Sequence, residues 1–325
     1  MPPTLRFMLR RLGQAIPIIL GIAIFNFFLL HMAPGDAVDV LAGGAGGATP
    51  EYVAHSRPSS ASISRYTFNS ASSCGISATL NLGFSFRHNM PVVDLIRARL
   101  PATLLLMVCA IVLAFSAGLV LGVTAARNLN KAPDRIISVM ALLAYATPVF
   151  WIGLMLILLF SVKLGWLPSS GIETIGADLS GVARIWDVAR HLVLPAVTLA
   201  LFFMALYTRL MRAAMLEVYG LDYVTVARAK GVGEQGIAYR HVLRNALLPM
   251  ITMLGLQVGS LLGGSVLVET VFGWPGLGRL AFESVFQRDY NLLLGILLLS
   301  SALVVLVNLL IDLLYARLDP RIEIA

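Results

Sequence analysis

The side chains with which this chain could ligate a metal or move a proton are five histidines, two cysteines and 17 Asp and Glu residues. Their spacing supports neither use. His31, His55, His88, His191 and His241 are scattered, and no H-E-x-x-H or comparable ligand spacing joins them. A phosphate-cradling G-x-x-x-x-G-K-[ST] loop is excluded, because the only lysines, Lys131, Lys163 and Lys230, are followed by Ala, Leu and Gly. With no nucleophile, base or metal set in reach, no catalytic residue, no metal site and no cofactor is expected, and the chain is not expected to be an enzyme. Cys74 lies in a polar segment and Cys109 in an apolar run, where packing is its expected role. The charged residues that do cluster lie in the stretch 211–246, and the chemistry they offer is docking.

The elements that carry this stretch follow from composition. Of 325 residues, 58% are hydrophobic and 13% charged; soluble domains carry about 25% charged. A mean hydropathy of +0.85 excludes a chain held in water. Six charge-free apolar runs are long enough to span a bilayer: Leu12–Leu30, Pro101–Ala126, Ile136–Val162, His191–Thr208, Leu247–Val268 and Asn291–Ile311. Barrel strands would be short and alternating, whereas these runs are continuous, and helices satisfy their own backbone hydrogen bonds in hydrocarbon. The expected fold class is therefore all-α, a polytopic membrane protein with six transmembrane helices. The first run reads as a span rather than a cleaved leader, since His31-Met-Ala-Pro-Gly-Asp36 lacks a small-x-small site.

Basic residues orient the spans. With the N-terminus inside, the inner segments hold 14 basic and 7 acidic residues, and the outer ones 10 of each. The whole net charge of +7 then lies on the cytoplasmic face. It reports topology, not a nucleic-acid partner. Both termini are expected in the cytoplasm of a multi-pass protein of the bacterial inner (cytoplasmic) membrane, with lipid around the spans. The chain divides into 1–31, the N-terminus and first span; 32–99, an extracytoplasmic segment; and 100–325, a core with five spans.

Within the inner stretch 211–246, Asp222-Tyr-Val-Thr-Val-Ala-Arg-Ala-Lys230 has helix-forming composition, with Asp222 as a possible cap and Gly231-Val-Gly233 as the stop. A second short helix is expected over Glu234–Leu243. Two such helices about a glycine hinge would make a protruding knob suited to a partner. Among the polar residues left inside spans, Asn26, Gln257 and Asn308 either hydrogen-bond between helices or line a solute path. Gly118-x-x-x-Gly122, Gly255-x-x-x-Gly259 and Gly259-x-x-x-Gly263 allow close helix contact. No carboxylate sits mid-span, which leaves a proton relay without a candidate.

Asp222-Tyr-Val-Thr-Val-Ala-Arg-Ala-Lys-Gly231, followed by Tyr239-Arg-His-Val-Leu-Arg-Asn-Ala-Leu-Leu-Pro249, resembles the EAA loop of ABC importer permeases, in the form of the dipeptide/oligopeptide subfamily. The resemblance extends through Arg11-Leu-Gly13, His31-Met-Ala-Pro-Gly-Asp36, Leu100-Pro-Ala-Thr103, Phe272-Gly-Trp-Pro-Gly-Leu-Gly278 and Asp312-Leu-Leu-Tyr315 with Asp319-Pro-Arg321. The long segment after the first span resembles the B-type subunit. The resemblance implies a translocation subunit working with a second permease subunit, two cytoplasmic ABC ATPases and an extracytoplasmic solute-binding protein. Its substrate would be a di- or oligopeptide; glutathione or a metal chelate is the alternative solute, and a stand-alone secondary transporter the alternative class.

Asp222, Tyr223, Ala227, Arg228, Ala229, Lys230 and Gly231 would then couple to the ATPase, with Gly231 at the sharp turn. Two departures stand out. Thr225-Val226-Ala227 occupies the place of Glu-Ala-Ala. Residues 55–77, nine of 23 of them serine, replace the family's amphipathic stretch, as a compensated pair of frameshifts or a sequencing error would. Reading the other frames of the gene tests that origin.

Overall fold

A computed structural model describes residues 82–85 and 87–318, with Gly13, Pro17, Gly21 and Ile24 as isolated helical positions. The rest of span one, Asn26 included, and the serine-rich run 55–77 lie outside the described residues. The elements are strands β1 (Phe84–Ser85) and β2 (Met90–Pro91), then α1 (Val92–Arg127), α2 (Ala132–Ala146) and α3 (Val149–Leu156), which continues π-helically through Ile157–Lys163. There follow α4 (Gly181–Tyr219), α5 (Asp222–Ala229), α6 (Glu234–Gly236), a π-helical segment Ile237–Val242, α7 (Leu243–Val271), α8 (Leu277–Phe286) and α9 (Tyr290–Leu318). Among the described residues the fold is mostly helical, with one two-stranded hairpin.

The described chain forms two compact units, the larger holding Pro101–Arg279 and the stretch from Val304 on, the smaller the residues up to Leu100 and Leu280–Leu303. In the larger unit α4 is the central post, burying Leu194, Leu199, Phe203, Tyr207, Met211 and Met215. The Gly118-x-x-x-Gly122 spacing on α1 is used against it. A Cβ on Gly122 would sit 2.8 Å from the carbonyl oxygen of Thr208, and one on Gly118 would sit 3.2 Å from that of Met204. Only glycine lets the two backbones approach so closely. By contrast, the spot where a Cβ on Gly263 would go is open space, and at Gly259 and Gly264 it would make ordinary contacts, at 3.7 and 3.5 Å. Gly122→Leu is therefore expected to separate α1 from α4 and cost about 1–3 kcal/mol, read as a lower melting temperature of the detergent-solubilised protein. Gly263→Leu should leave it unchanged.

Among the described residues three helices, Val92–Arg127, Gly181–Tyr219 and Tyr290–Leu309, are each long and apolar enough to cross a membrane. The run Leu247–Val268 lies within α7. The run Ile136–Val162 is not one straight helix: α2 and the α3 segment meet at 106° across Thr147-Pro148. Pro148 has no N–H to give and disfavours the α conformation at the residue before it; Thr147 accordingly has φ −85° and ψ 133°.

In the smaller unit the hairpin pairs Phe84 with Pro91 and Ser85 with Met90. Asp289 caps α9, its carboxylate accepting the Leu292 N–H at 3.2 Å and the hydroxyl of buried Ser85. Asn291 donates to the Phe84 carbonyl at 3.2 Å.

Candidate functional site

The stretch expected to be a loop, 211–246, is largely helix. α4 runs on to Tyr219, so that only Gly220 and Leu221 separate it from α5. Charge marks where lipid ends, not where a helix ends, and Met-Arg-Ala-Ala-Met-Leu-Glu keeps strong helix formers going into water. Asp222 is not the cap. Leu221 holds that position with no side-chain cap bond, and Asp222 lies in the first turn, where its charge favours the helix N-terminus.

α5 places Val224 and Ala227 on its buried face, and Leu221, Tyr223, Val226, Arg228 and Lys230 outward. Its end is a Schellman turn: the Val232 N–H reaches the Ala227 carbonyl at 3.2 Å, and the Gly231 N–H that of Arg228 at 3.0 Å. Gly231 has φ +82°, with open space where a Cβ would go. Its need for glycine is a backbone need, not a packing one.

The return segment is one continuous helix rather than a separate short one. α6 starts at Glu234 and passes through the π-helical turn into α7, burying Ile237, Ala238 and Val242. Arg228 Nε donates to Glu234 Oε1 at 2.8 Å, across the glycine turn. The guanidinium holds the Glu234 carboxyl below the usual range. Both groups are exposed and solvent-screened, so the pair shapes the surface more than it stabilises it. Tyr223 Oη accepts from Asn245 Nδ2 at 2.6 Å and donates to the His241 carbonyl at 3.2 Å. Arg127 Nη1 donates to Tyr239 Oη at 3.0 Å and lies over its ring.

Six of the seven expected coupling residues thus share one exposed turn, and Ala227 is the anchor beneath it. Sequence reasoning passed over Leu221, Val226 and Glu234. The i, i+3 spacing of Val224 and Ala227 was the available signal for which face turns inward. Gln257 is half-buried and Asn308 exposed, and no hydrogen bond joins them.

At the far end of α7, the turn Phe272–Gly278 closes on a buried carboxylate that the sequence did not single out. Glu269 accepts from Thr103 Oγ1 at 2.8 Å and from the Arg279 N–H at 2.9 Å. Thr103 Oγ1 in turn accepts the Leu277 N–H at 2.7 Å, and Trp274 Nε1 donates to the Ala102 carbonyl at 2.9 Å. A Cβ on Gly276 would overlap the carboxylate, and one on Gly278 would sit 2.8 Å from Val266 Cα. Two motifs far apart in sequence, around Ala102-Thr103 and Phe272–Gly278, are one structure.

Comparison with known proteins shows the family. Residues 118–324 match the family described as "Binding-protein-dependent transport system inner membrane component". The chain is 41% identical to the oligopeptide transport system permease protein AppB of Bacillus subtilis (strain 168), covering 98% of this chain and 99% of that protein. It is 39% identical to the dipeptide transport system permease protein DppB of Escherichia coli (strain K12), with the same coverage. An inward-facing MetNI methionine ABC transporter structure shares the fold, with TM-score 0.56 and 19% identity over 70% of this chain and 97% of that one.

Proposed function

Because the chain belongs to the family of binding-protein-dependent transport system inner membrane components, we propose that it is the B-type permease subunit of an ATP-driven peptide importer. It spans the bacterial inner membrane six times with both termini in the cytoplasm, and pairs with a second permease subunit. Two cytoplasmic ATPases drive the pair, and an extracytoplasmic binding protein supplies di- or oligopeptides. The full-length likeness to AppB and DppB supports peptides as the substrate class.

The observation that carries the coupling assignment is the α5 turn. Val224 and Ala227 root it, while an apolar set (Leu221, Tyr223, Val226) and two cations (Arg228, Lys230) face out within the basic stretch 211–246. Such a mixed surface, apolar at its centre with cations alongside, is what a protein groove recognises. Closure of the ATPases would move the turn, and the spans would follow.

Arg228→Glu places two carboxylates across the Gly231 turn and reverses the outward charge. In membranes containing all partners, uptake of a labelled dipeptide is expected to fall about tenfold, the usual scale for losing one strong interface contact. Membrane abundance should stay unchanged. Normal uptake in this variant would remove α5 as the coupling element.

A further inference from the structure

The stretch connecting the first two described membrane helices holds a buried carboxylate that the coupling turn does not use. Asp134, in the first turn of α2, is 3% exposed. Its Oδ1 accepts from Arg212 Nε at 2.6 Å and its Oδ2 from Arg212 Nη2 at 2.9 Å, a two-pronged pair, while Oδ2 also takes the Asn130 N–H at 2.9 Å. Arg212 is on α4, seven residues and about 10 Å of helix rise before α4 ends at Tyr219. After two intervening residues α5 begins. The pair therefore grips the same post that carries the coupling turn.

The other partner, α2, packs along α4 but turns most of its side chains outward. Asp134 and Ala141 are its only buried residues. Beyond them its ring contact is Tyr145, stacked on Phe202 at 5.2 Å with the Arg209 guanidinium 5.9 Å from its ring centre. A helix embedded in a close-packed core moves with its neighbours through packing. Packing alone lets two helices slide or roll on each other, and within the α2–α4 contact Asp134 is the buried charged group that ties the two together. At its other end α2 turns by 106° into the α3 segment at Thr147-Pro148.

We infer that the Asp134–Arg212 pair is a positioning contact through which displacement of the α5 turn reaches the bent α2–α3 segment. The fork geometry suits this role, because two parallel hydrogen bonds fix orientation as well as distance, which a lysine cannot do. The inference rests on α5 being the coupling element.

The test uses the complete system, both permeases with the ATPases and binding protein, reconstituted in proteoliposomes, and measures labelled dipeptide taken up per ATP hydrolysed. In Asp134→Asn and Arg212→Lys the ratio is expected to fall at least about fivefold, the low end of ordinary coupling between sites. Asp134→Glu, which keeps the charge and both acceptor oxygens, should hold it within about twofold of wild type. A pair that merely stabilised the fold would lower the amount of complex and leave the ratio alone. An unchanged ratio in Arg212→Lys, whatever the yield of Asp134→Asn, overturns the proposal. Absence of ATP-driven uptake in the wild-type system would instead refute the importer reading itself.

Discussion

A Gly231→Val chain is expected to reach the membrane in normal amounts and lose peptide uptake by about tenfold or more. The reason is the backbone. At φ +82° an L-residue pays about 1–2 kcal/mol, and a β-branched one more; about 1.4 kcal/mol is already a factor of ten in the population of the native turn. Relief comes by opening the Schellman turn, which breaks the Val232 to Ala227 bond and swings Arg228 away from Glu234. The space around Gly231 is open, so no packing defect accompanies the change. Gly231→Asn should therefore stay near wild type, because asparagine tolerates the left-handed region. Uptake assays with immunodetection of membrane levels decide the matter. Equal uptake by the Val and Asn variants would mean that the turn is not the element that couples.

Glu269→Ala is expected to act at the other end of α7, through stability. Removing the carboxylate leaves the Thr103 hydroxyl and the Arg279 N–H without their acceptor inside the protein. Each buried polar group so orphaned costs about 1–3 kcal/mol, enough together to consume much of an ordinary stability of roughly 5–15 kcal/mol. The chain should then be degraded, with its level in the membrane falling several-fold at the growth temperature. Glu269→Gln keeps one acceptor oxygen in place and should fall between alanine and wild type. Quantitative immunoblotting of membranes, with thermal unfolding in detergent, orders the three. An alanine variant as abundant and as heat-resistant as wild type would show that the Phe272–Gly278 turn stands without its carboxylate.

Much of the α5 turn is legible in the amino-acid sequence. The cation-rich Ala227–Lys230 stretch and the glycine that stops it are local features, set by helix composition and by the one residue that enters the left-handed region freely. The boundaries are not. Helix α4 extends past Met211 because Arg, Ala, Met, Leu and Glu keep a helix going once lipid has ended. Leu221 rather than Asp222 stands at the α5 cap, a difference of one residue that capping preferences alone do not resolve.

The class follows from the amino-acid sequence alone: long apolar runs without charge, with helices as the spanning form, because hydrocarbon leaves a backbone no other donor or acceptor. The same sequence also named the glycine turn. Tertiary structure alone decided which glycines meet a neighbour, where the Ile136–Val162 run breaks, and which charges find partners. Glu269 meets Thr103 across 166 residues and Arg212 meets Asp134 across 78. Periodicity and capping act within a few residues. A hydrogen bond between such distant groups depends on how helices pack, and no local pattern carries that.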